Sequence, residues 1–132
     1  AYNSYPSHVP APASKRHEYA RWARAHGAYI VEDDYDSEFS SVTRQIDTIY
    51  SLTPERVIYV NTFSKTLAPA MRTAYMVLPE ELMAEYTRRL GFYSCTVPAF
   101  EQYVLAEFIN GGELERYINR RRRILRQEKK EK

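Results

Sequence analysis

The chain has 132 residues, 44% hydrophobic and 27% charged, which is the balance of a globular protein with room for one ordinary domain. It contains no run near the roughly 18 apolar residues of a membrane span and no basic-then-apolar opening of a secretion signal. Cys95 is its only cysteine, which excludes an internal disulfide and a multi-cysteine metal site, so a reducing cytoplasm is the expected compartment. The net charge of +2 is uneven: nine Lys/Arg stand against two Asp/Glu from Arg116 to Lys132, and the rest of the chain is acidic.

Pro6, Pro10 and Pro12 make residues 1–12 extended or loop. Ser14 is a candidate N-cap for a helix over 15–26, with Tyr19, Trp22, Ala23 and Ala25 at helical spacing and Gly27 as its stop. The apolar run Ala28-Tyr29-Ile30-Val31 fits a buried strand and leads into Glu32-Asp33-Asp34-Tyr35-Asp36. After a mixed polar stretch with a turn at Thr53-Pro54, Val57-Ile58-Tyr59-Val60 is the second strand, running into Asn61-Thr62-Phe63-Ser64-Lys65. Residues 73–78 form a third strand, stopped by Pro79. Helices follow over 80–90 and 99–110, the second with Phe100, Tyr103, Val104, Phe108 and Ile109 as its apolar face. Gly111-Gly112 breaks the chain before a last, basic amphipathic helix from Glu113.

Short apolar strands among helices predict an α/β sheet covered on both faces and mostly parallel. The segment between the second and third strands has no helical crossover, so one antiparallel pair is expected there.

Ligands in open α/β sheets gather at the carboxyl ends of strands. The first strand ends in Asp33, Asp34 and Tyr35; the second ends in Thr62, Ser64 and Lys65, with Arg72 seven residues on. Taken singly, each has a plain structural reading: an Asp in a turn, a solvated Lys, a packing Tyr, an ion-paired Arg. Their combination and order carry the functional one. His8, His17 and His26, nine apart, have no metal-ligand logic.

These residues carry a resemblance. Residues 30–39 resemble the IIEDDYDSEF segment of the MocR family, regulators that join a GntR-type winged helix-turn-helix to a fold-type I aminotransferase-like domain binding pyridoxal 5′-phosphate (PLP). Residues 62–72, TFSKTLAPAMR, resemble that family's cofactor-lysine segment, Tyr5-Pro6-Ser7-His8 its TPSH loop, and residues 102–123 its later stretch. The resemblance implies that Lys65 forms the internal aldimine, Asp33 pairs with the pyridinium nitrogen, Tyr35 bonds the phenolic oxygen and Arg72 binds the phosphate, with Thr62 and Ser64 as further phosphate candidates. A carboxylate that keeps the ring nitrogen protonated makes the ring an electron sink, and a planar guanidinium suits a phosphate. Ala74 departs from the glycine usual in the family, and Val9-Pro10-Ala11-Pro12 from its loop.

The resemblance also implies that residues 1–112 are the C-terminal part of a large PLP-binding domain and residues 113–132 the start of an interdomain helix. The partners implied are an amino-acid or amine effector or substrate, a second copy of the parent fold, and DNA through a helix-turn-helix outside this chain. Such an excerpt is expected to be marginally stable or self-associating. A plain aminotransferase segment, an inactive assembly module and a nucleic-acid-binding basic tail are the competing readings.

Overall fold

The computed structural model describes residues 9–35, 37–39 and 47–128. The Tyr5–His8 motif, Asp36 and the last four residues lie outside them. Helix α1 (Ala13–His26) begins two residues before its expected start. Pro12, not Ser14, holds the N-cap position, and its carbonyl accepts the N–H groups of Lys15 and Arg16 at 3.0 and 3.2 Å. Gly27 ends the helix in the left-handed region at φ 60°, where a residue without Cβ sits without strain.

Strand β1 (Ile30–Asp33) starts two residues later than the apolar run suggests. A 3-10 turn (Ser37–Phe39), the one-turn helix α2 (Ile49–Leu52) and a second 3-10 turn (Pro54–Arg56) lead to β2 (Val57–Thr62). One turn of helix, α3 (Phe63–Thr66), then precedes β3 (Ala74–Val77). Four residues are too few to cross back over a sheet, so β2 and β3 pair antiparallel while β1 and β2 pair parallel. The sheet order is β1-β2-β3, a mixed sheet. Helices α4 (Glu80–Leu90), α5 (Ala99–Asn110) and α6 (Glu113–Glu128) complete the chain, the first two at their expected bounds.

Among the described residues the core lies on one face of the sheet. Ala20 of α1, Ile49 of α2 and Val57 of β2 are buried together, with Ile30, Tyr50 and Leu52 packed against them. The buried stripe of α1 is Arg16, Ala20 and Ala23, at helical spacing. Tyr19, Trp22 and Ala25 point outward instead, because the small alanines let the helix approach the sheet where larger side chains would hold it off. Arg16 is buried and donates to the carbonyls of Ala11 at 2.9 Å and Asp47 at 2.6 Å.

The other face is open among the described residues. Side chains alternate along a strand, so Val31 and Asp33 share that face with Ile58, Val60 and Thr62 of β2 and with Ala74 and Met76 of β3. Val31 is 66% exposed, which corrects the expectation of a buried apolar strand covered on both sides. Glu32 faces the core instead, and its carboxylate accepts the N–H groups of Ile49 and Tyr50 at 3.0 and 2.8 Å, capping α2. In α5 the buried residue is Leu105; Phe100, Tyr103, Val104 and Ile109 are exposed and do not form the expected inward face.

Candidate functional site

The carboxyl ends of β1 and β2 stand side by side, and most of the residues singled out from the sequence sit there. Asp33 is the last residue of β1, exposed on the open face. Tyr35, two residues later, is half-buried in the turn. Thr62 ends β2 on the same face as Asp33, since Asp33 pairs in register with Val60, two residues before it.

The segment from Thr62 to Thr73 is tied into one unit. The Thr62 hydroxyl accepts the Ser64 N–H at 3.2 Å, capping α3, and donates to the Thr73 carbonyl at 3.1 Å. The Phe63 N–H donates to the same carbonyl at 2.9 Å, and the Ser64 hydroxyl donates to the Met71 carbonyl at 2.5 Å. A guanidinium nitrogen of Arg72 lies 3.4 Å from the Ser64 hydroxyl, a long contact that leaves most of its five donors for a ligand. Lys65 is exposed on the turn between them. Thr62, Ser64, Lys65 and Arg72 thus share one scaffold at the edge of the open face. Asp33 is presented from the adjacent strand, and among the described residues no hydrogen bond joins it to Lys65 or Arg72.

Two contacts from the last helices brace this scaffold. The Tyr117 hydroxyl of α6 donates to the Leu67 carbonyl at 3.3 Å, and the Thr73 hydroxyl donates to Glu101 of α5 at 3.3 Å. Arg122 of the basic helix donates to the Glu38 carbonyl at 2.7 Å, so one of its charges faces the body of the protein.

Asp34, Tyr59, Asn61 and Glu38 were not distinguished as a group by the sequence. They form a connected polar cluster on the core side of the same strand ends. The signal was the alternation of Tyr59 and Asn61 with Ile58 and Val60 in β2. Burial first, and then the Asp34 carboxylate, push the Tyr59 phenol above the usual tyrosine range. Burial first, and then the Glu38 carboxylate, do the same to Tyr75.

The chain is 38% identical over 117 residues to the uncharacterised HTH-type transcriptional regulator YdeL of Bacillus subtilis, covering 88% of this chain and 25% of that protein. It is 36% identical over 106 residues to the probable rhizopine catabolism regulatory protein MocR of Rhizobium meliloti, covering 80% and 22%. The chain is homologous to a segment of the MocR-type regulators. It spans about a quarter of the length of the curated relatives it matches. The MocR-type segment has the aminotransferase fold: the kynurenine aminotransferase of Pyrococcus horikoshii, solved in complex with PMP, superimposes with a TM-score of 0.70 at 30% identity, over 87% of this chain and 29% of that one. No protein-family model matches the chain.

Proposed function

We propose that this segment is the PLP-binding part of an aminotransferase-like domain in a MocR-type transcriptional regulator, with Lys65 as the residue that carries the cofactor. The observation behind this reading is the grouping of Thr62, Ser64, Lys65 and Arg72 on one hydrogen-bonded scaffold beside Asp33. The donor set fits the group. PLP offers an aldehyde, a basic ring nitrogen and a phosphate. The chain offers an exposed primary amine, a carboxylate on the open face, and a guanidinium next to hydroxyls. When bound, PLP supplies an electron sink for amino-acid chemistry.

The chain's own residues have separable tasks in this reading. The Lys65 amine supplies the nucleophile. Asp33 holds the proton on the ring nitrogen, and Tyr35 orients the ring oxygen. Arg72 anchors the phosphate, while Thr62 and Ser64, whose own protons go to backbone carbonyls, fix the loop that presents it. Residues 1–112 belong to the cofactor domain and residues 113–132 to a helix that connects it onward. Its ligand is an amino acid or amine, its assembly a homodimer, and its DNA contact a helix-turn-helix outside this segment. Among the described residues no helix is long and apolar enough to cross a membrane.

A second reading, an aminotransferase acting on an amino acid, is favoured by the superposition on the kynurenine aminotransferase. Two measurements on the full-length gene product decide the matter. Lys65→Ala is expected to abolish the visible absorbance acquired with PLP, and an unchanged spectrum would remove the Lys65 assignment. Binding of DNA from its own promoter region supports the regulator, whereas turnover of amino acids without DNA binding supports the enzyme.

A further inference from the structure

On the core side of the strand ends, directly beneath the open face, four polar side chains are linked in a path. Asp34 is 1% exposed and Asn61 2%. The Tyr59 hydroxyl donates to Asp34 Oδ2 at 3.0 Å. The Asn61 amide nitrogen donates to the Tyr59 hydroxyl and to Glu38 Oε1, both at 3.0 Å. The Asn61 Oδ1 accepts the Thr62 N–H at 2.6 Å. The Asp34 N–H continues the ladder past β1, donating to the Val60 carbonyl at 2.9 Å. The path runs from Asp34 through Tyr59 and Asn61 to Glu38, so it closes around the turn that contains Tyr35.

This arrangement is energetically poor for a purely structural core. Among the described residues Asp34 Oδ1 and Glu38 Oε2 are buried without a hydrogen-bond partner, and such oxygens cost stability. Apolar side chains of similar volume would fill the space without that cost. The sequence positions explain what the polar path achieves. Asp34 follows Asp33, and Asn61 precedes Thr62, so these two path residues are chain neighbours of site residues and face the opposite way. Tyr59 packs between the rings of Tyr50 and Tyr75, at 5.6 and 6.3 Å, which fixes its hydroxyl.

We propose that Tyr59 and Asn61 are positioning residues, which by tying Asp34 and Glu38 to β2 hold Asp33, Tyr35 and Thr62 in place for the cofactor. This inference rests on the PLP reading given above.

The test uses the full-length gene product with PLP and two variants. Tyr59→Phe removes only the hydroxyl, and Asn61→Asp keeps the acceptor for Thr62 but removes the donors to Tyr59 and Glu38. Three quantities are read: the thermal midpoint, the PLP dissociation constant, and the visible circular dichroism per bound cofactor, which reports its orientation. Each variant that folds is expected to bind PLP roughly tenfold more weakly, the loss of one or two buried hydrogen bonds, and to show altered dichroism. A folded variant with a lowered thermal midpoint but PLP affinity within about twofold and unchanged dichroism would show the network to be merely structural and overturn the proposal. If neither variant folds, the network serves the fold itself and the proposal is again overturned. A wild-type protein that acquires no visible absorbance with PLP overturns the cofactor reading and this inference with it.

Discussion

Asp33 and Thr62 share the open face of two adjacent parallel strands, each at its strand's carboxyl end. Their neighbours Asp34 and Asn61 face the other way and are buried. One pair therefore lies on the open face while the other is buried beneath it, as the two-residue repeat of a strand requires.

The Arg72 guanidinium is assigned to the phosphate, which gives a test independent of any reaction. Arg72→Ala is expected to weaken PLP binding by roughly ten- to a hundredfold, and Arg72→Lys by less, since a point charge replaces a planar fork. Pyridoxal, which lacks the phosphate, should bind both variants as it binds the wild type. Equilibrium dialysis with the two ligands checks this; equal losses for pyridoxal would move Arg72 away from the phosphate.

The cap of α2 by Glu32 is a stability prediction. Its carboxylate accepts two backbone N–H groups and is 2% exposed, so Glu32→Ala strands those donors beside the core. A destabilisation of about 2–4 kcal/mol is expected in urea unfolding. Glu32→Gln retains one acceptor oxygen and should cost less.

Gly27 sits at φ 60° with nothing within 4 Å of where a Cβ would lie. The cost of Gly27→Ala is therefore purely one of backbone conformation, about 1 kcal/mol. Gly27→Asn should cost less, because asparagine tolerates the left-handed region. Thermal unfolding of the two variants ranks them.

A link between α1 and the β2 approach is pH-dependent. Arg24 donates to Glu55 at 2.8 Å and to the Leu52 carbonyl at 2.6 Å. The hydrogen bond from Arg24 holds the Glu55 carboxyl down at about 2, against an ordinary value of 4.5. A depressed carboxylate contributes stability that is fully present above its unfolded value and lost as pH falls toward its folded one. The thermal midpoint of the wild type should therefore lose ground to that of Glu55→Gln as pH falls from about 5 to about 2. Parallel midpoints across that range would show that the pair contributes nothing, as exposed pairs often do.

Some of the fold was legible in the sequence because local chemistry fixes it. Helices α4 and α5 lie where expected because Pro79 and Pro98 stand at their starts and Gly91 and Gly111 at their ends. The antiparallel β2–β3 pair followed from the lack of a crossover in the segment between them. The residues proposed for the site come from short runs at strand ends, where amine, carboxylate, hydroxyls and guanidinium stand close together in the sequence.

The sequence by itself determined the three strands and the longer helices, and the glycines and prolines that end several of them. It could not say which side of the sheet would be covered. In Val31-Glu32-Asp33-Asp34 hydropathy favours burying Val31, yet Val31 is exposed while Glu32 and Asp34 are buried. That choice was made when the Ala20–Ala23 stripe of α1 and Ile49 of α2 packed on the Val57 face of the sheet. Once one face is taken, strand alternation sends every second side chain to the other. Only the tertiary structure could therefore separate Asp33, exposed on the open face, from Asp34, buried beneath it.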